Sequence, residues 1–192
     1  NMDRPLPETK EDIEAFLESI PLFATQMPEE GKESDDFKAI KALIEQTPKN
    51  KRCENFKESG NKAFKLAVRL SEKRPNETSG DRMRRLETRL TKYRDAIQFY
   101  GNALDVAAGE GGASWAVDDK ELLSSIHSNR AQCNLALENY GKVVEDCKQA
   151  IALNPLNHKA YYRAAVALLK VGKLVSAFAV CRQGLSTAKL AK

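Results

Sequence analysis

The sequence has few of the residues that build metal, redox and catalytic sites. It contains two histidines, His127 and His158, and four cysteines, none of them in a CxxC spacing. Neither histidine lies at metal-ligand spacing from a cysteine, and no nucleophile motif or phosphate-binding glycine loop is present. These absences predict a protein that is not an enzyme, has no catalytic residues and needs neither a metal nor a cofactor.

Long apolar runs are also missing. No stretch approaches the ~20 apolar residues that a membrane-spanning helix needs, and no signal-peptide core is present. Cysteines without a disulfide pattern are typical of a reducing compartment. The sequence therefore predicts a soluble protein of the cytoplasm, with the nucleus as a second location, and no membrane partner.

The net charge of +4 is small, but its distribution is uneven. About nine basic side chains lie between Arg69 and Arg94, and such a run can attract nucleic acid or acidic surfaces. Acidic residues are interspersed with them: Glu72, Glu77, Asp81, Glu87 and Asp95. This mixture favours a solvated pair of helices over a nucleic-acid site, and a ribosome- or RNA-binding module remains an alternative.

Two blocks in the C-terminal half repeat in register. Ala131 and Ala165 are 34 residues apart, and each is followed 12 residues later by another apolar residue of modest size, Val143 or Ala177. The same spacing relates Cys147 to Cys181 and Ala150 to Gly184. A period of 34 is that of the tetratricopeptide helix-turn-helix repeat, so we expect stacked helix pairs that form a groove. Cysteines at such positions are ordinary core fillers.

An earlier repeat is interrupted. Phe56, Gly60 and Phe64 resemble its first helix, and Ala96 and Tyr100 resemble its second, but Gly60 and Ala96 are 36 residues apart where 12 are expected. The sequence thus predicts an insertion at about 68–91. The fold class expected is an all-α solenoid of three tetratricopeptide repeats over residues 51–192.

Residues 1–50 form a predicted N-terminal extension. Two amphipathic helices are expected there, one ending near Pro21 and one ending near Pro48. They either cover an end of the solenoid, which open repeat stacks require, or form an arm that binds a partner.

Polar residues recur on the first helix of each repeat, which lines the concave side of this architecture. They are Lys57 and Asn61, then Asn129, then Lys159 and Arg163. Lys57 and Asn61, like Lys159 and Arg163, are four residues apart and share a helical face. Three cations and two amides would converge on one groove, where charge-assisted bonds can hold the two carboxylates of a C-terminal aspartate.

These five residues resemble, position by position, the dicarboxylate clamp of tetratricopeptide co-chaperones. The resemblance implies binding of the Glu-Glu-Val-Asp terminus of heat-shock protein ninety, and of heat-shock protein seventy as a second partner. It also implies that Phe64 and Gln132 flank the valine of that terminus and that Tyr162 contributes to the groove wall. Clamp modules usually have alanine where this chain has Gln132. The longer side chain of Gln132 narrows the pocket for the valine of the peptide.

The segment Ser19–Thr25, followed by Ala39–Leu43 and Glu54–Lys57, resembles the N-terminal region of one co-chaperone family. This is the family of the yeast cyclophilin-seven suppressor and animal tetratricopeptide repeat protein four. It implies a non-enzymatic adaptor, and a fragment that lacks the family's C-terminal domain. A scaffold that binds internal peptides in the groove is the remaining alternative, and the sequence identifies no client protein.

Overall fold

The computed structural model describes residues 47–72, 77–108 and 119–190. Nearly all of them belong to one unit, Lys49–Lys192. The two helices predicted before Pro48 and the glycine-rich segment that contains Trp115 lie outside the described residues.

Six α-helices make up the regular structure of the described residues. They are α1 (Lys49–Arg69), α2 (Ser79–Ala108), α3 (Lys120–Ala136), α4 (Tyr140–Leu153), α5 (His158–Lys170) and α6 (Leu174–Leu190). No strand occurs in these three ranges, in agreement with the predicted all-α class.

The helices pair in chain order, α1 with α2, α3 with α4 and α5 with α6, and the pairs stack on one another. The first helices of neighbouring pairs are in contact, α1 with α3 and α3 with α5. Among the described residues, the second helices α2, α4 and α6 make no such contacts with one another. The first helices therefore lie on the inner, concave side, as the tetratricopeptide pattern predicts.

Small residues lie where paired helices cross. Ala131 and Val143 are fully buried in one core cluster, and Ala165 and Ala177 are also buried. In the first pair, Gly60 of α1 lies directly against the ring of Tyr100 on α2. A larger side chain at these positions would push the helices apart, which explains the spacing seen in the sequence.

The turns within the second and third helix pairs each contain a residue with left-handed backbone geometry. Glu138 follows α3 with a φ of 60°, and Gly172 follows α5 with a φ of 78°. The two residues are 34 positions apart, so both pairs turn through left-handed backbone at the same register position. Glycine adopts this conformation readily, whereas glutamate is strained in it.

Side-chain caps fix the N-termini of the two inner helices α3 and α5. Asp119 accepts a hydrogen bond from the Leu122 N–H at 2.8 Å, and Asn157 accepts one from the Ala160 N–H at 3.3 Å. Each cap satisfies a backbone donor that the first helical turn leaves free. The start of each inner helix is thereby fixed relative to the groove.

The segment predicted as an insertion comprises the end of α1 and the first turns of α2, which has 30 residues. Arg85 connects the two parts. Its Nε and Nη2 donate to the carboxylate of Glu77 at 2.7 and 2.8 Å, and its Nη1 donates to the carbonyl of Leu70. The extended start of α2 is thus tied to the end of α1.

Three cysteines, Cys53, Cys133 and Cys147, are buried as free thiols. Burial raises the pKa of both Cys133 and Cys147 to about 12, so these thiols stay protonated. Cys181 is exposed, and the expectation that it fills the core is wrong. The reason is its position on α6, where Ala177 is the only buried side chain that the structure describes.

Candidate functional site

The inner helices enclose a groove of about 750 Å³. Four of the predicted site residues line it: Lys57 and Asn61 from α1, Asn129 from α3, and Lys159 from α5. Because the groove runs across three repeats, residues far apart in sequence meet in it. We refer to this cavity as the inner groove.

The two lysines of the inner groove carry uncompensated charge. Lys57 is half-buried and Lys159 is exposed. Neither ammonium group forms an ion pair with a described residue. Both are therefore available to an anion that enters the groove.

Arg163 is the third predicted cation; it does not itself line the inner groove but is bonded to Ser128, which does, and it is held by neutral groups. Its Nε donates to Gln132 Oε1 at 2.8 Å, and its Nη1 donates to the carbonyl and the hydroxyl of Ser128 at 2.7 and 2.5 Å. Burial lowers the pKa of the guanidinium from its ordinary value. No described carboxylate pairs with it. A partly buried cation without a counter-ion is costly unless a ligand supplies the negative charge.

A buried tyrosine orients Asn61, and Asn61 in turn is bonded to Asn129. The Tyr100 hydroxyl donates to Asn61 Oδ1 at 2.7 Å, and Asn129 Nδ2 donates to the same oxygen at 3.2 Å. Burial raises the pKa of Tyr100, so its hydroxyl keeps the proton that it donates. With its oxygen occupied twice, Asn61 has its NH₂ group left to donate into the groove.

Ionic groups of the opposite sign lie elsewhere along the same cavity. Glu54, Asp119 and Glu121 line it beside Leu122. Glu54 is paired with Lys51 at 3.2 Å, and Asp119 caps α3. Glu121 forms no ion pair with a described residue, so the groove carries the charges of Lys57 and Lys159 together with that carboxylate, and Arg163 is bonded to the lining residue Ser128.

Four predicted residues are not among those that line the inner groove: Phe64, Gln132, Tyr162 and Arg163. Phe64 packs against the core, with its ring centroid 6.0 Å from that of Tyr93. Tyr162 is exposed and lines a separate apolar cavity of about 460 Å³ between α5 and α6. That Phe64 flanks the ligand and that Tyr162 forms the groove wall stay predictions. Gln132 is beside Arg163, to which it is hydrogen-bonded.

Ser128 and Tyr100 are site residues that sequence reasoning missed. Ser128 anchors the guanidinium, and Tyr100 sets the orientation of Asn61. The sequence offered one clue to Tyr100, since Gly60 lies in the first helix of its repeat and leaves room for a large ring from the second. Nothing in the sequence marked Ser128.

The described residues also bear on metal binding and membrane insertion. Within the described ranges, no group of three or more His, Cys, Asp or Glu side chains could hold a metal ion. No described helix is both long and apolar enough to cross a membrane.

Comparison with known proteins identifies similar chains. Residues 63–188 match the family model described as "Bacterial transcriptional activator domain". The chain is 29% identical over 173 residues to the Hsp70/Hsp90 co-chaperone CNS1 of Saccharomyces cerevisiae, covering 88% of this chain and 36% of that protein. It is 30% identical over 175 residues to the tetratricopeptide repeat protein 4 homolog of Dictyostelium discoideum, covering 91% and 36%.

A solved structure of Hsp90 co-chaperone Cns1 from Saccharomyces cerevisiae (delta69) is also similar. It superimposes with a TM-score of 0.53 at 27% identity, over 72% of this chain and 34% of that one. The chain thus spans about a third of the length of the curated relatives it matches. It belongs to the helical family that the activator-domain model describes, and along nearly its whole length it is similar to Cns1 and tetratricopeptide repeat protein 4, which confirms the resemblance found in the sequence.

Proposed function

We propose that the inner groove binds the C-terminal end of an acidic peptide by its carboxylates. The observation that carries this proposal is the set of three cations, Lys57, Lys159 and Arg163, none of which pairs with a described carboxylate. The NH₂ group of Asn61 adds a neutral donor. A terminal aspartate is a suitable ligand, because one residue then presents two carboxylates to these donors.

The energetics favour a small, doubly charged ligand group. Each hydrogen bond to a charged group contributes about 1.5–3 kcal/mol net. Arg163 contributes in a second way, because its desolvation cost is already incurred in the free protein. Lys57 and Lys159 are more accessible, and salt should weaken their share of the binding.

The partner that we propose is the Glu-Glu-Val-Asp terminus of heat-shock protein ninety, with heat-shock protein seventy as a second partner. Two relatives carry the description Hsp70/Hsp90 co-chaperone in their names. This chain would then be the peptide-docking module of a cytoplasmic adaptor that is not itself an enzyme.

Calorimetric titration with the peptide Met-Glu-Glu-Val-Asp tests the proposal. The peptide should bind as the free acid, and amidation of its C-terminus should remove most of the binding because it deletes one of the two terminal carboxylates. Equal binding of both forms would favour a scaffold for internal peptides instead. No binding of either form, nor of the heat-shock protein seventy terminus, would reject the clamp.

A further inference from the structure

Gln132 makes a contact that goes beyond the general clamp pattern. It lies on α3, one helical turn after Asn129, and its Oε1 accepts the hydrogen bond from Arg163 Nε at 2.8 Å. Gln132 is half-buried, as is Arg163. An amide oxygen is a neutral acceptor, so it orients the guanidinium without neutralising its charge.

The two anchors of Arg163 fix the plane of its guanidinium. Gln132 holds Nε on one side, and Ser128 holds Nη1 on the other. Nη2 therefore remains as the nitrogen with both N–H groups free. No described residue accepts from it, and it is not among the buried atoms that lack a partner, so it is accessible to solvent.

The amide nitrogen of Gln132 is also accessible and without a described acceptor. Its two N–H groups have no described acceptor, and Nε2 is likewise not a buried atom without a partner. The Gln132–Arg163 unit thus presents accessible donors and keeps its positive charge. A planar guanidinium would otherwise engage a carboxylate side-on through Nε and Nη2. In this chain Nε is already occupied.

We propose that Gln132 is a positioning residue for Arg163, which directs Nη2 toward the carboxylate of the bound peptide. This inference rests on the proposed function, since it concerns how the same site grips its ligand. It explains why a polar side chain is compatible with this position. A glutamate in its place would form an ion pair with Arg163 and remove the charge that attracts the ligand.

A double-mutant cycle on peptide affinity tests the positioning role. Gln132→Met keeps the length of the side chain but removes the acceptor, and it should weaken binding of the free-acid peptide about fivefold, the size of one hydrogen bond to a charged group. Arg163→Lys should weaken binding about tenfold or more, because the fixed plane and Nη2 are lost. The double variant should bind within about twofold of Arg163→Lys alone, since Gln132 acts through Arg163.

Matched controls are available on α4. Gln149 is exposed on a second helix and does not line the inner groove. Gln149→Met should leave the affinity unchanged, and so should Gln149→Glu, whereas Gln132→Glu should reduce it about tenfold or more. The glutamate variant also replaces Gln132→Met in the test if the latter does not fold, as judged by helix content and thermal melting.

The outcomes separate this inference from the function on which it rests. If the unmodified chain binds neither peptide form, the proposed function fails. If the chain binds the free acid, and Gln132→Met and Gln132→Glu both bind as tightly as the unmodified chain, only the positioning role is wrong. Multiplicative losses in the double variant would also overturn it, because they would show that Gln132 acts independently of Arg163.

Discussion

Replacing Gly60 by a larger residue is expected to destabilise the protein, because the ring of Tyr100 lies directly against it. A Cβ atom at this position would lie 2.6 Å from Tyr100 Cε1 and 2.9 Å from both Cδ1 and Cζ. Tyr100 is only 1% exposed, and its hydroxyl is bonded to Asn61. The ring therefore cannot move away without giving up both its core packing and its contact with the inner groove.

The two effects of Gly60→Ala can be compared in magnitude. Alanine in a helix interior is favoured over glycine by about 1 kcal/mol. Overpacking of a well-packed core costs about 1–3 kcal/mol. We expect a net loss of about 1 kcal/mol in the free energy of unfolding. Gly101→Ala is the control, because no atom lies within 4 Å of a Cβ there, and it should stabilise the chain by up to about 1 kcal/mol.

Chemical denaturation of both variants measures the stability change, and titration with the free-acid peptide measures the consequence for the groove. Gly60→Ala should also lower the affinity, since a displaced Tyr100 no longer orients Asn61. If Gly60→Ala stabilises the protein as much as Gly101→Ala does, the close contact between Gly60 and Tyr100 is refuted. Reduced stability with unchanged affinity would refute only the link to Asn61.

Three further results are expected. Glu138→Gly should raise the free energy of unfolding by about 1 kcal/mol in a denaturant titration, because glycine relieves the left-handed strain; a destabilised variant would argue against that backbone. Lys57→Ala should weaken binding of the free-acid peptide tenfold or more, about 1.4 kcal/mol, as measured by calorimetry, with helix content unchanged. Full affinity in the folded variant would remove Lys57 from the site. Burial acts to raise the pKa of Asp146, but hydrogen bonds from His127 and Arg130 outweigh it and hold the pKa below its ordinary value. The stability from this carboxylate is therefore complete above pH ~4 and is lost as the pH falls through the lowered pKa. Asp146→Ala should cost about 3 kcal/mol near neutral pH and should flatten the acid side of the stability profile; an unchanged acid limb would contradict the assignment.

The repeat register was readable from the sequence because helix crossings demand small side chains at fixed spacing. That register also indicates which residues of each first helix face inward, and the structure brings Lys57, Asn61, Asn129 and Lys159 to one groove. Their role in peptide binding stays a prediction.

Periodicity does not determine how far a side chain reaches or which neighbour it meets. Tyr162 immediately precedes Arg163 in sequence, yet it lines the apolar cavity between α5 and α6 while Arg163 donates to Ser128 on α3, because successive residues on a helix diverge by about 100°. Phe64 follows Asn61 by three residues but is drawn to the core by Tyr93. Cys181 matches the register of the buried Cys147 and is nevertheless exposed, because burial at that position depends on a following helix and not on the repeat itself.

The most direct test of the account follows the side-chain amide signals of Asn61 and Asn129 by nuclear magnetic resonance. Nitrogen-15-labelled protein would be titrated with Met-Glu-Glu-Val-Asp as the free acid and, separately, as the amide. Both signals should shift with the free acid and shift far less with the amide. Shifts confined to α2 between Ser79 and Arg94, with the two amides unmoved, would contradict it and would locate binding on the basic segment.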